Sequence, residues 1–321
     1  MDAKSIAFVT NPKSHRVARK GSWVSQAAAA APDLNILEFS GDTALMPQLR
    51  KVMEDGVSTI FIEGGDGTVL AVLSACHALA DQFETPPQFA ILPGGSTNLA
   101  HKLFGFRAFG PRHFQKRFAG LLAGKREQVT QQRALKIDSP GLSTPQLGFV
   151  LSTGTLARAM RYVQEELHGP GHRGSFSVGQ AILRFLSAPH AYLDQNGQPV
   201  VAGSQIALQG DNLAYDGPHG LSIMTSLPRL SLGLYPFWGE GSGSISLTYA
   251  TWPMPHFRRG LFQALVWKQP DRLEKLGFFS HREDAVKLTP HAPIMIDGES
   301  FDFSAQDPVH VTLSDQIRFL R

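Results

Sequence analysis

Along the first 130 residues, apolar and polar positions switch between two periods. Short continuous apolar runs at Ile6–Val9, Leu34–Phe39, Thr59–Ile62 and Phe89–Leu92 read as strands covered on both faces, as in a parallel sheet. Between them the spacing turns helical. Ala44–Asp55 carries Leu45, Leu49, Val52 and Met53 on one face and stops at Gly56, a residue suited to a helix C-terminus. Further helices are expected from the basic cluster around Lys13 through Trp23 to Ala31, from Val69 to Ala80, and through Leu103. Strands alternating with helices predict a doubly wound, mostly parallel α/β domain. Arg107–Lys125 sets Phe109, Phe114, Phe118, Leu121 and Leu122 among Arg112, Lys116 and Arg117. Packing against the sheet is the expectation; a basic amphipathic membrane-contact helix is the other reading.

From Val129 onward short β-like stretches take over, separated by Gly, Pro and Ser: Ala134–Ile137, Gln146–Leu151, Val200–Leu208, Leu221–Met224, Leu230–Leu234, Ser244–Ala250, Ala285–Leu288, Pro293–Ile296 and Val309–Leu313. So many short strands predict a C-terminal β-sandwich-like domain. Helical insertions are expected at Thr155–Leu167, Gln180–Ser187 and near Arg259–Lys268. The domains are drawn as 1–128 and 129–321, with the last strands free to return to the first.

Composition narrows the class. With 42% hydrophobic and 18% charged residues, the 321-residue chain has the make-up of a soluble globular protein. A net charge of +3 is too small a field to argue for nucleic acid. The single cysteine, Cys76, excludes an intrachain disulfide framework and reads as a small buried hydrophobe. No transmembrane run and no leader pattern are seen, so a cytoplasmic protein is expected, peripheral on the inner face of the membrane at most. A homodimer is compatible with this picture.

The chemistry gathers at two turns. Glu63-Gly64-Gly65-Asp66-Gly67-Thr68 follows one strand and Pro93-Gly94-Gly95-Ser96-Thr97-Asn98-Leu99-Ala100 follows the next. Both belong at the carboxyl edge of a parallel sheet, where open α/β sheets bind ligands. Glycines let main-chain N–H groups approach a phosphate, and a helix start favours an anion. An ordinary strand-to-helix turn would use the same residue types; the repetition of the layout tips the balance. The lysine-bearing P-loop pattern is absent. None of the twelve histidines falls in a His-Glu-x-x-His spacing.

These two blocks resemble the catalytic domain of the diacylglycerol kinase, sphingosine kinase and bacterial lipid kinase family. The likeness extends to Thr10-Asn11-Pro12-Lys13-Ser14 and to Ile296-Asp297-Gly298-Glu299, in the family's order. The first block alone is similar to NAD kinases, which share an NAD-kinase-like α/β half. The resemblance implies an ATP-dependent, Mg²⁺-assisted lipid kinase acting on a lipid hydroxyl at the membrane surface, in the cleft between domains. The nucleotide would be held by Asn11, Lys13, Ser40 or Thr43, Gly64, Gly65, Asp66, Gly67, Thr68, Gly95, Ser96, Thr97 and Asn98. Asp66 would orient the metal. In isolation Thr68 reads rather as a helix cap.

The resemblance places the general base in the Asp-Gly-Glu block, with Glu299 as proton acceptor and Asp297 assisting, although Asp-Gly by itself is a hairpin signal. Asp138 matches a further acidic position of the family, and equally a turn aspartate. Where many bacterial members carry aspartate after Asn98, this chain has Leu99, and Gln146–Arg158 lacks the family's acid. Pro236–Gly243 lacks the aspartate of the structural Mg²⁺ loop, so no such site is expected. The alternatives are a soluble-substrate kinase of NAD-kinase type and a catalytically impaired nucleotide- or lipid-binding regulator.

Overall fold

A computed structural model describes residues 3–28, 34–39, 41–95, 98–166, 192, 193, 197, 199–230, 234–254, 256–266, 268–290, 293–303 and 307–321. The expected helix Gln180–Ser187, most of the expected strand Leu230–Leu234, and Ser40, Ser96, Thr97 and Trp267 lie outside them. The chain divides into two compact units, residues 1–133 with 315–321, and residues 134–314.

The first unit is the expected α/β domain. Strands β1 (Ile6–Thr10), β2 (Asn35–Glu38), β3 (Thr59–Gly64) and β4 (Gln88–Pro93) run parallel in the order β2-β1-β3-β4. β1 and β3 are buried at every residue, which explains why they read as unbroken apolar runs. Around them lie α1 (His15–Lys20), α2 (Trp23–Ala28), α3 (Asp42–Glu54), α4 (Asp66–Leu79), α5 (Leu99–Phe104) and α6 (Pro111–Leu122).

One helix was expected from the basic cluster to Ala31; there are two. Gly21, at φ 78°, ends α1 and returns its N–H to the Val17 carbonyl, a conformation only glycine adopts cheaply. The aromatic stripe expected over Arg107–Lys125 is core within α6, whereas Phe109, ahead of that helix, is 93% exposed. Phe114, Phe118 and Leu121 are buried, and Phe61 meets Phe8, Phe106, Phe114 and Phe118 with ring centroids 5.0–6.0 Å apart. Cys76 is buried too, and burial pushes its thiol up to about 12, so it is no thiolate nucleophile.

The second unit is β-rich and antiparallel. It contains the inner half of β5 (Val129–Asp138), then β6 (Gln146–Gly148), β7 (Val150–Gly154), α7 (Thr155–Glu166), β8 (Ser204–Gln209) and β9 (Ala214–Thr225). After these come β10 (Ile245–Thr251), α8 (Phe257–Val266), α9 (Pro270–Glu274), β11 (Phe278–Glu283), β12 (Val286–Pro290), β13 (Ile294–Ile296), β14 (Glu299–Phe301) and the start of β15 (Val309–Leu320).

β9 changes partners along its length. Ala214–His219 pairs with β8, whereas Leu221–Thr225 lies between β7 and β10. Strand β9 therefore starts seven residues before the expected Leu221. Its Gly217, Pro218 and Gly220 resemble turn residues in the sequence, yet Ala214–Gly217 pairs on the β8 side, where proline and glycine are tolerated. β15 also outruns the expected Val309–Leu313. Its alternating pattern continues to Leu320, and Phe319 pairs in parallel with Phe89 of β4 inside the first unit. Arg321 N–H then donates to the Gln128 carbonyl at 2.8 Å.

Candidate functional site

The two glycine turns end adjacent strands, with Gly64 opposite Pro93 in register, and their backbones touch. A Cβ on Gly94 would lie 2.5 Å from the Gly64 nitrogen, and one on Gly95 would lie 2.6 Å from the Gly65 Cα. No side chain fits there, so glycine at these positions is first a packing requirement. Asn98 locks the second turn from a left-handed conformation (φ 52°). Its Oδ1 accepts the N–H groups of Gly94 (3.1 Å) and Gly95 (2.9 Å), and its Nδ2 donates to the Gly95 carbonyl at 2.8 Å.

Asn11 ties the first strand's turn to the glycine turn. Its Nδ2 donates to Thr68 Oγ1 at 2.8 Å, its N–H donates to the Glu63 carbonyl, and its Oδ1 accepts the Lys13 N–H at 3.0 Å. Lys13 itself is exposed and Thr68 is buried. Gly67 sits in the first turn of α4, and no side chain caps that helix at Gly65. Of the expected nucleotide ligands, Asn11, Gly64, Gly65, Asp66, Gly67, Thr68, Gly95 and Asn98 are thus brought together, with Lys13 alongside.

Asp66 Oδ1 accepts the Ala100 N–H at 3.1 Å, at the start of α5. Burial pushes this carboxyl above its usual range, although the N–H groups of Ala100, Leu99 and Asn98 and the charge of Lys102 pull it down. A desolvated carboxylate whose own donors do not compensate burial gains from a nearby cation. Magnesium commonly uses one or two carboxylates plus substrate phosphate oxygens. Asp66 therefore fits a metal that arrives with a nucleotide; among the described residues no cluster of three acidic, His or Cys groups forms a protein-only cage.

Two residues carry more of this edge than sequence reasoning assigned them. Glu63, with 0% exposure, accepts from Arg16 Nη2 (2.7 Å), the Trp23 N–H (2.7 Å), the Val24 N–H (3.4 Å), Thr10 Oγ1 (3.4 Å) and Ser22 Oγ. It caps the start of α2 and pairs with the Arg16 guanidinium. Arg16 Nε in turn donates to the Pro93 carbonyl, and its N–H donates to the Gly94 carbonyl at 2.8 Å. Arg16 belongs to the basic cluster that follows Lys13, and its head binds Glu63. Burial lowers its pKa even beside that carboxylate. The available signal was an acid closing an otherwise apolar buried run, which requires a partner. His101 follows on α5, held neutral with its pKa down to about 4 by burial and by the charges of Arg16 and Lys102.

In the second unit, Asp297-Gly298 is a two-residue hairpin turn between β13 and β14. Both residues have positive φ (49° and 96°), and Ile296 pairs with Glu299. Asp297 Oδ2 accepts the Phe149 N–H (2.9 Å) and Oδ1 the Val150 N–H (2.8 Å), fastening the turn to β7. Glu299 opens β14 and is exposed. Arg161 of α7 donates to Ser300 and pairs with Asp302 at 2.6 Å. Asp138, the last residue of β5, is exposed beside the turn at 139–142. A buried polar chain sits nearby in sequence: Thr153 Oγ1 lies 2.7 Å from both His219 Nε2 and Ser222 Oγ, and His219 Nδ1 lies 2.8 Å from the Ser204 carbonyl. Burial holds His219 at a pKa of about 4.

This geometry can be set beside known proteins. Residues 5–131 match the diacylglycerol kinase catalytic domain. That match lies within the first unit. No curated protein matches the sequence. Three solved structures from Bacillus anthracis str. Sterne are similar across both units. A proposed diacylglycerol kinase aligns over 98% of this chain and 97% of its own, with TM-score 0.61 and 12% identity. A diacylglycerol kinase covers 98% and 96%, with TM-score 0.57 and 12% identity. A second proposed diacylglycerol kinase covers 97% and 96%, with TM-score 0.57 and 14% identity. At such identity the diacylglycerol kinase likeness outside residues 5–131 is one of fold.

Proposed function

We propose that the protein is an ATP-dependent lipid kinase, transferring a phosphoryl group to the hydroxyl of a diacylglycerol-like or sphingoid-like lipid. The observation that carries this reading is the pair of glycine turns packed backbone on backbone beside the uncapped start of α4. A helix start without a side-chain cap leaves N–H groups for an anion, and the family whose model residues 5–131 match supplies the chemistry. Asn11, Lys13, Gly64–Thr68, Gly95 and Asn98 hold the nucleotide, with Ser40, Ser96 and Thr97 as further contacts. Asp66 holds Mg²⁺, which neutralises phosphate charge when bound. Glu299 takes the proton of the acceptor hydroxyl, acting as general base, as that oxygen bonds to the γ-phosphorus and the bond from that phosphorus to the bridging oxygen breaks to release ADP. Asp297 keeps the turn beneath it fixed through Phe149 and Val150.

The test is labelling with [γ-³²P]ATP and Mg²⁺ over fractionated lipids, with NAD as a competing acceptor. An organic-soluble labelled product is expected. Labelling of NAD in preference to lipid would make it a soluble-substrate kinase. Tight nucleotide binding with no transfer to any acceptor would make it an impaired regulator. Glu299→Gln should abolish turnover and keep nucleotide affinity; unchanged turnover removes Glu299 from its role.

A further inference from the structure

Helix α8 of the second unit is fixed by its inner face and leaves an unexplained outer one. Gly260 lies flush on Phe278, where a Cβ would come 2.3 Å from the ring, and Gln263 and Ala264 are buried beside it. At 3.6 residues per turn, Arg258, Arg259, Phe262 and Val266 share the opposite face. All four are exposed, Phe262 and Val266 at 55% each. The helix contains no acidic residue. Phe262 stands apart from the other aromatic residues of this region, Phe237, Trp238, Trp252 and Phe257. Phe237 is buried, and Trp238, Trp252 and Phe257 pack against the core cluster of this unit; Phe262 does not join them.

We propose that the outward face of α8 docks the protein on an anionic lipid surface. Arg258 and Arg259 sit among the headgroups, with Phe262 and Val266 at the acyl boundary. Basic residues beside apolar ones on one helix face are the chemistry of interfacial helices, which need only shallow insertion plus charge attraction. A protein partner is the poorer fit, because stable protein interfaces bury roughly 800 Å² per partner and this face offers two exposed apolar side chains. The comparable stripe of α6 is not available, since Phe114, Phe118 and Leu121 are buried. The inference deepens the lipid-kinase reading by naming the surface through which the chain would meet its acceptor, and it rests on that reading for its purpose.

The experiment is sedimentation of the full chain with vesicles of phosphatidylcholine alone or mixed with phosphatidylglycerol, without nucleotide. Binding is expected to the mixed vesicles and to weaken as salt rises. Arg258→Gln with Arg259→Gln should cost roughly 25-fold in affinity, about fivefold per charge. Phe262→Ser with Val266→Ser should cost roughly tenfold at low salt. Arg259→Gln and Phe262→Ser alone read the same contrast if a double variant melts early. Equal binding to both vesicle types, no vesicle binding, or variants that bind like wild type would each overturn the proposal. So would a concentration-dependent dimer abolished by Phe262→Ser while vesicle binding persists. Phosphorylation of a detergent-dispersed lipid is measured separately. Vesicle docking through α8 without lipid phosphorylation would sink the kinase reading alone, and phosphorylation without docking would sink the surface alone.

Discussion

Removal of the Glu63 carboxylate tests how the edge that carries the two glycine turns is held together. Glu63→Ala strips the counter-charge from Arg16 and the acceptor from the Trp23 and Val24 N–H groups. Taking one partner from a buried ion pair costs about 3–5 kcal/mol, a large share of the ~5–15 kcal/mol that keeps a domain folded. At ~2–4 °C per kcal/mol for domains of this size, the melting point should fall by roughly 10 °C. Arg16 also donates to Gly94 and Pro93, so nucleotide affinity should fall with it. Calorimetry and denaturant titration measure the first effect, and ADP titration the second. Arg16→Met combined with Glu63→Leu should recover much of the loss, because swapping a whole buried pair for apolar groups is often neutral. The account fails if Glu63→Ala stays within about 0.5 kcal/mol of wild type, or if Arg16→Met and Glu63→Ala add without coupling.

Other outcomes are equally specific. Asn98→Ala leaves the Gly94 and Gly95 N–H groups without their acceptor, so a loss of about 1–3 kcal/mol and weaker nucleotide binding should appear in melts and titrations. Asp297→Ala should cost a similar ~1–3 kcal/mol by freeing the Phe149 and Val150 N–H groups, whereas Glu299→Gln should leave the melting point unchanged. His219 is 1% exposed, with a folded pKa of about 4 against 6.5 for a free imidazole. The unfolded chain binds the proton more tightly, so stability is full above pH 6.5, falls towards pH 4 and levels below it. The total is about 3 kcal/mol, and His219→Gln should flatten that part of a melting-point titration. Gly94→Ala, with its Cβ 2.5 Å from the Gly64 nitrogen, should yield protein that melts early or does not fold.

The α/β half was legible because parallel strands covered on both faces leave an unambiguous signature: β1, β3 and β4 fall within two residues of the apolar runs. The break at Gly21 was not seen, since one glycine in a helical stretch does not reveal its φ. The second unit was harder because its strands are short and its partner changes are invisible to periodicity. β11 was missed altogether, although Phe278 and Glu283 are buried at its ends. At the edge of the first unit, the glycines and Asn98 could be chosen as candidates from spacing. Their reason could not, because the contact of Gly94 with Gly64 joins residues thirty positions apart. The Asp-Gly signal of the hairpin was present in the sequence, and its structural meaning and its proposed chemical one are compatible. Phe262 needed only the helical angle that sets it with Arg258 and Arg259.

Carboxylates settle two helix starts of the first unit and leave that of α4 without a side-chain cap. α2 begins on Glu63, whose oxygens take the Trp23 and Val24 N–H groups. α5 begins on Asp66, which takes that of Ala100. The N–H groups of Gly94 and Gly95 already donate to Asn98. α4 runs fourteen residues from within the first turn and has no side-chain cap at Gly65, as α1, α3 and α6 have none at theirs. Its dipole and first N–H groups therefore favour an incoming anion over anything the protein provides there. The Asp66 carboxylate in its first turn would repel a bare phosphate and accept one that carries a divalent cation.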